Sequence, residues 1–343
     1  MYIQIIVLII GLLLITVGAD KLVDGASKIA RRFGLSDFLI GMTIVGIGTS
    51  APEMVVSFIS AFEGNADIAV GNIVGSNIFN ILAIIGISAI ITPIPLTSHN
   101  IRKDIPIVMG ASALLCLFVY LYFIPNTLTG PYGTISRIEG IIFLLGFIAF
   151  MWYSIKDGKQ NCGPCVEEGY GQDTRTQNNC PAQPASTAAA TKVYDTLWFN
   201  SLLIPASLAA LVFGGNIFVG SASAIAKSLG VSDAVIAATI MAGGTSLPEL
   251  ATCVAAALKK NTDMALGNVI GSNVANILLI LGGSALITPL SAGGITPVYM
   301  ITMVAAAAAL FIASFTFAKK QVDRAEGVIF IAAYILFVWY ILQ

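Results

Sequence analysis

Two glutamates carry the chemistry of this chain. Glu53 closes the run Gly46-Ile-Gly48-Thr49-Ser50-Ala-Pro52, and Glu249 closes Ala242-Gly243-Gly244-Thr245-Ser246-Leu-Pro248. Each sits inside an apolar run, where inserting a charged side chain costs about 2.5–3.5 kcal/mol. On a helix, Gly46, Thr49, Glu53, Ser57 and Ser60 share one face, and Asn72, Ser76 and Asn80 form a second oxygen-bearing stripe. Their counterparts are Ala242, Thr245, Glu249 and Cys253, then Asn268, Ser272 and Asn276. Facing one another, the four stripes offer carboxylates, hydroxyls and amide oxygens, with no thiolate or imidazole. Such hard donors suit Ca²⁺ or Na⁺. Two carboxylates balance one divalent cation, and no basic residue inside the apolar runs competes for them.

The elements that position these groups are helices with a flaw. Glycines, a hydroxyl pair and a proline precede each glutamate, a poor composition for an unbroken membrane helix. A break around Gly46–Ser50 is expected to leave carbonyls of the first half unpaired and facing the site. Pro52 then falls in the first turn of the second half, where its missing N–H is harmless.

The whole composition is that of a membrane protein. Of 343 residues, 57% are hydrophobic and 10% charged, which excludes a soluble globular chain. The formal net charge of −1 gives no reason to expect nucleic acid. Ten apolar spans are predicted, at about 2–19, 37–62, 68–92, 104–124, 136–154, 197–220, 232–258, 264–288, 297–318 and 325–342. The first is read as structural rather than as a cleaved leader, since no basic residue precedes it. With the N-terminus outside, fifteen of the seventeen Lys and Arg residues fall in inside loops, and only Arg137 and Lys227 fall outside. Both termini are therefore expected outside, with the long middle loop in the cytoplasm.

The chain also repeats itself 196 residues on. Gly34-Leu-Ser36-Asp37, a helix stop followed by an N-cap, returns as Gly230-Val-Ser232-Asp233. Gly71-Asn72-Ile-Val-Gly75-Ser76-Asn77-Ile-Phe-Asn80 returns as Gly267-Asn268-Val-Ile-Gly271-Ser272-Asn273-Val-Ala-Asn276, and Thr92-Pro93 as Thr288-Pro289. At a slightly different offset, Arg137-Ile-Glu139-Gly140 matches Arg324-Ala-Glu326-Gly327. Each half holds five spans, an odd number, so the second enters the membrane upside down. The fold expected is an all-α membrane protein of ten transmembrane helices in two inverted five-helix repeats. Its parts are 1–154, a cytoplasmic linker 155–196, and 197–343.

Other features read as structural. Gly71-x-x-x-Gly75 and Gly267-x-x-x-Gly271 are packing stripes. Ser57, Ser60 and Cys253 read as interhelical contacts rather than ligands. Arg137/Glu139 and Arg324/Glu326 read as interfacial anchors. Cys162-Gly163-Pro164-Cys165 has the spacing of a redox motif but lies in a linker too short and polar for the scaffold it needs. With Cys180 it makes three thiols without a histidine, short of a zinc site. His99, the only histidine, is expected in a loop without a partner.

Gly-Thr-Ser-x-Pro-Glu followed by Gly-Asn-x-x-Gly-Ser-Asn, present twice, resembles the repeats of the Ca²⁺:cation antiporter superfamily. It is most similar to the sodium/calcium exchangers of bacteria and archaea. The resemblance covers all ten spans and not the linker. It implies exchange of Na⁺ for Ca²⁺ across the cytoplasmic membrane without a cofactor, an enzymatic reaction or an obligatory protein partner. It further implies that Glu53, Glu249, Thr49 and Thr245 hold calcium. Ser50, Ser76, Asn80, Ser246, Ser272 and Asn276 would help bind sodium, with backbone carbonyls near Gly46 and Ala242. Some relatives, notably potassium-dependent ones, have aspartate where this chain has Asn276, which argues against K⁺ dependence. A proton/calcium or K⁺-dependent sodium/calcium antiporter, a cation channel and a redox-active membrane protein are the alternatives.

Overall fold

The computed structural model of the chain describes residues 2–120, 133–160, 197–229, 242–292, 295–316 and 320–341. The protein is helical. Its first helix, α1, runs Tyr2–Phe33. A broken pair follows, α2 (Asp37–Thr49) and α3 (Ala51–Phe62), bent by 45°. Next come α4 (Ala66–Ile91), β1 (Ile94–Pro95), α5 (Asn100–Tyr120), β2 (Thr134–Ile135) and α6 (Arg137–Gln160). The remainder comprises α7 (Leu197–Ser228), α8 (Ala242–Gly244), α9 (Leu247–Leu258), α10 (Thr262–Ile287), β3 (Leu290–Ser291), α11 (Pro297–Ala313), β4 (Gln321–Val322) and α12 (Arg324–Ile341). Seven helices among the described residues are long and apolar enough to cross a membrane, eight with the bent pair taken as one span.

The centre is built from α4 and α10. In each, 78% of the most apolar stretch is buried, against 22% for α1 and 17% for α12. Those outer helices present Ile, Leu and Trp side chains outward, as lipid-facing helices do. Glycine permits close central contact: a Cβ on Gly41 of α2 would lie 2.5 Å from the Met264 carbonyl of α10. Gly267 and Gly271 sit closer still, where a Cβ would lie 2.3 Å from the Phe38 carbonyl and 2.0 Å from the Met42 carbonyl, so the second small-residue stripe packs as expected, while Gly71 faces Ile295.

Helix ends follow local chemistry. Gly34 ends α1 with φ +61°, and the Ser36 hydroxyl accepts from the Leu39 N–H at 3.1 Å to start α2. Thr92 and Thr288, each ahead of a proline, are extended and close α4 and α10. The second copy of the stop, at 230–233, lies outside the described residues, as do 161–196 with Cys162, Cys165 and Cys180.

Three expectations need correction. The first and sixth spans do not end near 19 and 220 but continue as helix to Phe33 and Ser228. In α1 the continuation is amphipathic: Leu22, Val23, Ala26 and Ala30 are buried at helical spacing while Lys21, Arg31 and Arg32 ride on the outer face. Those basic residues therefore stand on a helix rather than in a loop. His99 lies in the first turn of a helix, with Nε2 3.7 Å from Asp104 Oδ1, because Asp104 lies little more than one turn further on. Finally, Glu139 and Glu326 are buried caps and not interfacial anchors. Glu139 Oε2 accepts from the Ser136 N–H at 2.7 Å while the Ser136 hydroxyl accepts from the Glu139 N–H at 3.3 Å. Asp323 and Glu326 repeat the exchange at 2.9 and 3.0 Å. Arg137 and Arg324 stay exposed.

Contacts between the two halves come in matched pairs. β1 pairs antiparallel with β4, and β2 with β3. A Cβ on Gly86 would lie 3.0 Å from the Gly327 carbonyl, and one on Gly140 2.9 Å from the Gly282 carbonyl. The two glycine pairs correspond in the sequence repeat, Gly86 to Gly282 and Gly140 to Gly327, and the strand pairs likewise, β1 to β3 and β2 to β4.

Candidate ion-binding site

The break before Glu53 is a kink in a helix that nearly continues, and the backbone at the equivalent serine before Glu249 has the same shape. Ser50 has φ −77° and ψ 10°, and Ser246 has φ −90° and ψ 11°. Each proline stands in the first turn of the helix that follows, as its lost donor requires. Because the backbone at Ser50 stays close to helical, the Gly46 carbonyl is not left unpaired as expected. It accepts from the Ser50 N–H at 3.2 Å, from Thr49 Oγ1 at 3.4 Å and from Ser272 Oγ at 3.0 Å. The carbonyls deprived of an i+4 donor are those of Gly48 and Gly244, four residues before the prolines.

The two glutamates are fully buried, and each is braced by a hydroxyl from the other half of the chain. Ser246 Oγ donates to Glu53 Oε1 at 2.7 Å, and Ser50 Oγ donates to Glu249 Oε1 at 2.8 Å. Ser76 Oγ adds a donor to Glu53 Oε1 at 3.3 Å. Since Ser246 lies one turn before Glu249, and Ser50 one turn before Glu53, this exchange sets the carboxylates side by side. The second oxygen of each, Oε2, is buried without a hydrogen-bond partner. Among the described residues neither glutamate has a cationic partner. Two adjoining buried carboxylates with a free oxygen apiece form an acceptor-only pocket, suited to a cation.

The remaining candidates fall into three groups. Thr49 Oγ1 donates to Asn268 Oδ1 at 3.2 Å, while Thr245 Oγ1 is buried without a partner. Asn80 has both amide atoms unpartnered, and Asn276 has its Oδ1 unpartnered, all of them buried. Ala242 opens the short helix α8 at the position equivalent to Gly46. Asn72 and Asn268 act as braces. Asn72 Nδ2 donates to the Glu53 carbonyl at 3.3 Å and to Ser57 Oγ at 3.2 Å. Asn268 Nδ2 donates to the Glu249 carbonyl at 3.5 Å and to Cys253 Sγ at 3.1 Å. Ser57 and Cys253 are thus interhelical contacts, as read from the sequence.

Two buried residues escaped notice as members of the site, Asn77 and Asn273. They stand within the repeated motif, yet fall between the four-residue steps used to choose a face. Stepping by four from Asn72 and Asn268 reaches Ser76 and Asn80, and Ser272 and Asn276, and passes over the residue next to each serine.

Known proteins are similar to this chain over nearly its whole length. The family described as sodium/calcium exchanger protein matches residues 3–156 and 200–343, the two halves without the linker. The chain is 37% identical over 341 residues to a putative antiporter, CaxA, of Alkalimonas amylolytica, covering 98% of this chain and 97% of that one. It is 31% identical over 346 residues to the sodium/calcium exchanger MaX1 of Methanosarcina acetivorans, with 97% and 96% covered. Its fold is similar to the solved sodium-calcium exchanger NCX_Mj, with a TM-score of 0.76 at 30% identity and 97% of each chain covered. The protein is a multi-pass membrane antiporter, a transporter rather than an enzyme, and it belongs to the sodium/calcium exchanger family.

Proposed function

We propose that the protein exchanges Na⁺ for Ca²⁺ by alternating access, with Glu53 and Glu249 as the shared central ligands. The observation that carries this reading is the crossed bracing of the two carboxylates, each with one buried oxygen left without a partner. Calcium is held by both glutamates with Thr49 and Thr245. Sodium ions use Ser50, Ser76, Asn80, Ser246, Ser272 and Asn276, together with backbone oxygens near Gly46 and Ala242.

The chain is arranged as ten spans in two inverted five-helix repeats, 1–154 and 197–343, joined by the linker 155–196. It lies in the cytoplasmic membrane with both termini outside and the linker inside. The paired glycines, strands and caps described above support the repeat. The lysine and arginine distribution supports the orientation.

Coupling follows from electrostatics. Without an ion, two adjacent negative charges would be desolvated when the site closes, at several kcal/mol per ion. Bound calcium or sodium removes most of that penalty, so loaded protein crosses and empty protein does not.

Reconstituted protein is expected to take up radiolabelled calcium against an opposing sodium gradient. Glu53→Gln or Glu249→Gln is expected to abolish this uptake while the protein stays folded. Uptake driven by a proton gradient alone would replace sodium with protons. Calcium flux with no exchangeable ion opposite would make the protein a channel.

A further inference from the structure

We infer that Asn77 is a positioning residue that turns the amide oxygen of Asn276 toward the transported ion. This rests on the exchange reading above and adds a residue that it does not use.

An asparagine offers a cation only its oxygen, because its NH₂ end is a donor. A ligating asparagine therefore needs something to hold its nitrogen away from the ion. Asn77 does this for Asn276. Its Nδ2 donates to the backbone carbonyl of Asn273 at 3.2 Å. A carbonyl only accepts, so the Asn77 side chain has one permitted orientation, with Oδ1 turned away from that carbonyl. Oδ1 accepts from Asn276 Nδ2 at 3.0 Å. The nitrogen of Asn276 is thereby fixed, and its Oδ1 is left buried and without a partner. Asn276 lies one turn beyond Ser272, whose hydroxyl reaches the Gly46 carbonyl, so it continues the stripe that meets α2.

The repeat supplies the same parts in mirror order. Asn273 is the counterpart of Asn77, and Asn80 of Asn276. Here the second relay is open: Asn273 and Asn80 have both amide atoms buried without partners. All four asparagines are at most 1% exposed, so water does not account for these groups from outside. One relay closed and one open, at equivalent positions, sets one amide for ligation and leaves the other unset.

The test exploits a carboxylate's symmetry. Asn276→Asp puts an acceptor at both ends of the side chain, so nothing need orient it. In otherwise native protein, Asn77→Ala is expected to weaken sodium binding and raise the sodium KM by about 10–100-fold, the usual effect of losing an orienting partner. The turnover rate should change far less. In the Asn276→Asp background the same substitution should change KM by less than about threefold, a coupling read as a double-mutant cycle. Equal losses in both backgrounds, or no loss in the native one, would overturn the inference. If Asn77→Ala does not yield folded protein, Asn77→Leu, close to asparagine in size and without hydrogen-bonding groups, asks the same question with and without Asn276→Asp. Calorimetric titration with sodium reads the relay even if the wild-type protein fails to exchange it for calcium, which keeps the two claims separable.

Discussion

At the scale of single residues, the repeat extends to backbone conformations that only glycine adopts freely. Gly64 has φ +76° and its counterpart Lys260 has φ 60°; Gly133 has φ +80° and its counterpart Lys320 has φ 64°. A side chain in this left-handed region costs about 1–2 kcal/mol relative to glycine. Lys260→Gly is therefore expected to raise stability by about 1 kcal/mol, read as a higher melting temperature in detergent. The lysine persists where the charge distribution puts the cytoplasmic side, so the same variant should weaken the topological bias. Acidity acts on the glutamates. Cation binding needs both carboxylates ionised, and a proton on either removes one of the two charges that balance calcium. Exchange is expected to fall as pH is lowered and to recover when it is raised, with added calcium shifting the loss to lower pH. Acid inhibition that calcium does not relieve would place the titrating group elsewhere.

At the scale of elements, the molecule depends on helices approaching without side chains between them. Gly140 and Gly327 begin α6 and α12 and meet Gly282 and Gly86, the sites where the two innermost helices leave the centre. A Cβ on Gly327 would stand 2.7 Å from the Gly86 carbonyl. Gly140→Val and Gly327→Val are each expected to destabilise by about 1–3 kcal/mol, the cost of overpacking, and by similar amounts because the sites are equivalent. A large difference between them in thermal unfolding would mean that the halves are not packed alike. α1 is tied differently. Lys259, at the end of α9, reaches Asp20 Oδ1 and Asp24 Oδ1 at 2.7 Å each, and Asn261 Nδ2 reaches Ser27 Oγ at 3.0 Å. The charged outer part of α1, beyond its predicted end, is thereby fastened to the turn between α9 and α10.

At the scale of the whole molecule, the linker and the orientation are the features to test. Residues 160–190 fall outside the repeat and outside the matched family segments. Replacing them with a short Gly/Ser segment is expected to leave turnover largely intact, as is Cys162→Ser with Cys165→Ser. Loss of transport in membrane-inserted protein would assign the cysteines a role. Cysteines introduced at residue 1 and after Gln343 should label from outside intact cells, while one at residue 175 should not. Labelling at residue 175 from outside would reverse the proposed topology.

Much of this was legible in the chain itself, because membrane burial writes strongly in sequence. Apolar runs must be helices, since lipid satisfies no backbone group. A charged residue within one must have a reason, which singles out Glu53 and Glu249. A repeated motif must build the same local structure twice, as the matched caps, strands and serine backbone angles do among the described residues. What spacing alone does not carry is any relation between groups hundreds of residues apart. That Ser50 braces Glu249 rather than Glu53, and that Asn77 fixes the amide of Asn276, depends on how the halves interlock. The length of α1 was hidden because its second half packs one face on protein and so has an amphipathic pattern, which a search for uniform apolarity passes over. The Gly46 carbonyl was misjudged for a similar reason. Proline and glycine announce a break, but whether the chain unwinds or only bends by 45° is decided by the helices around it.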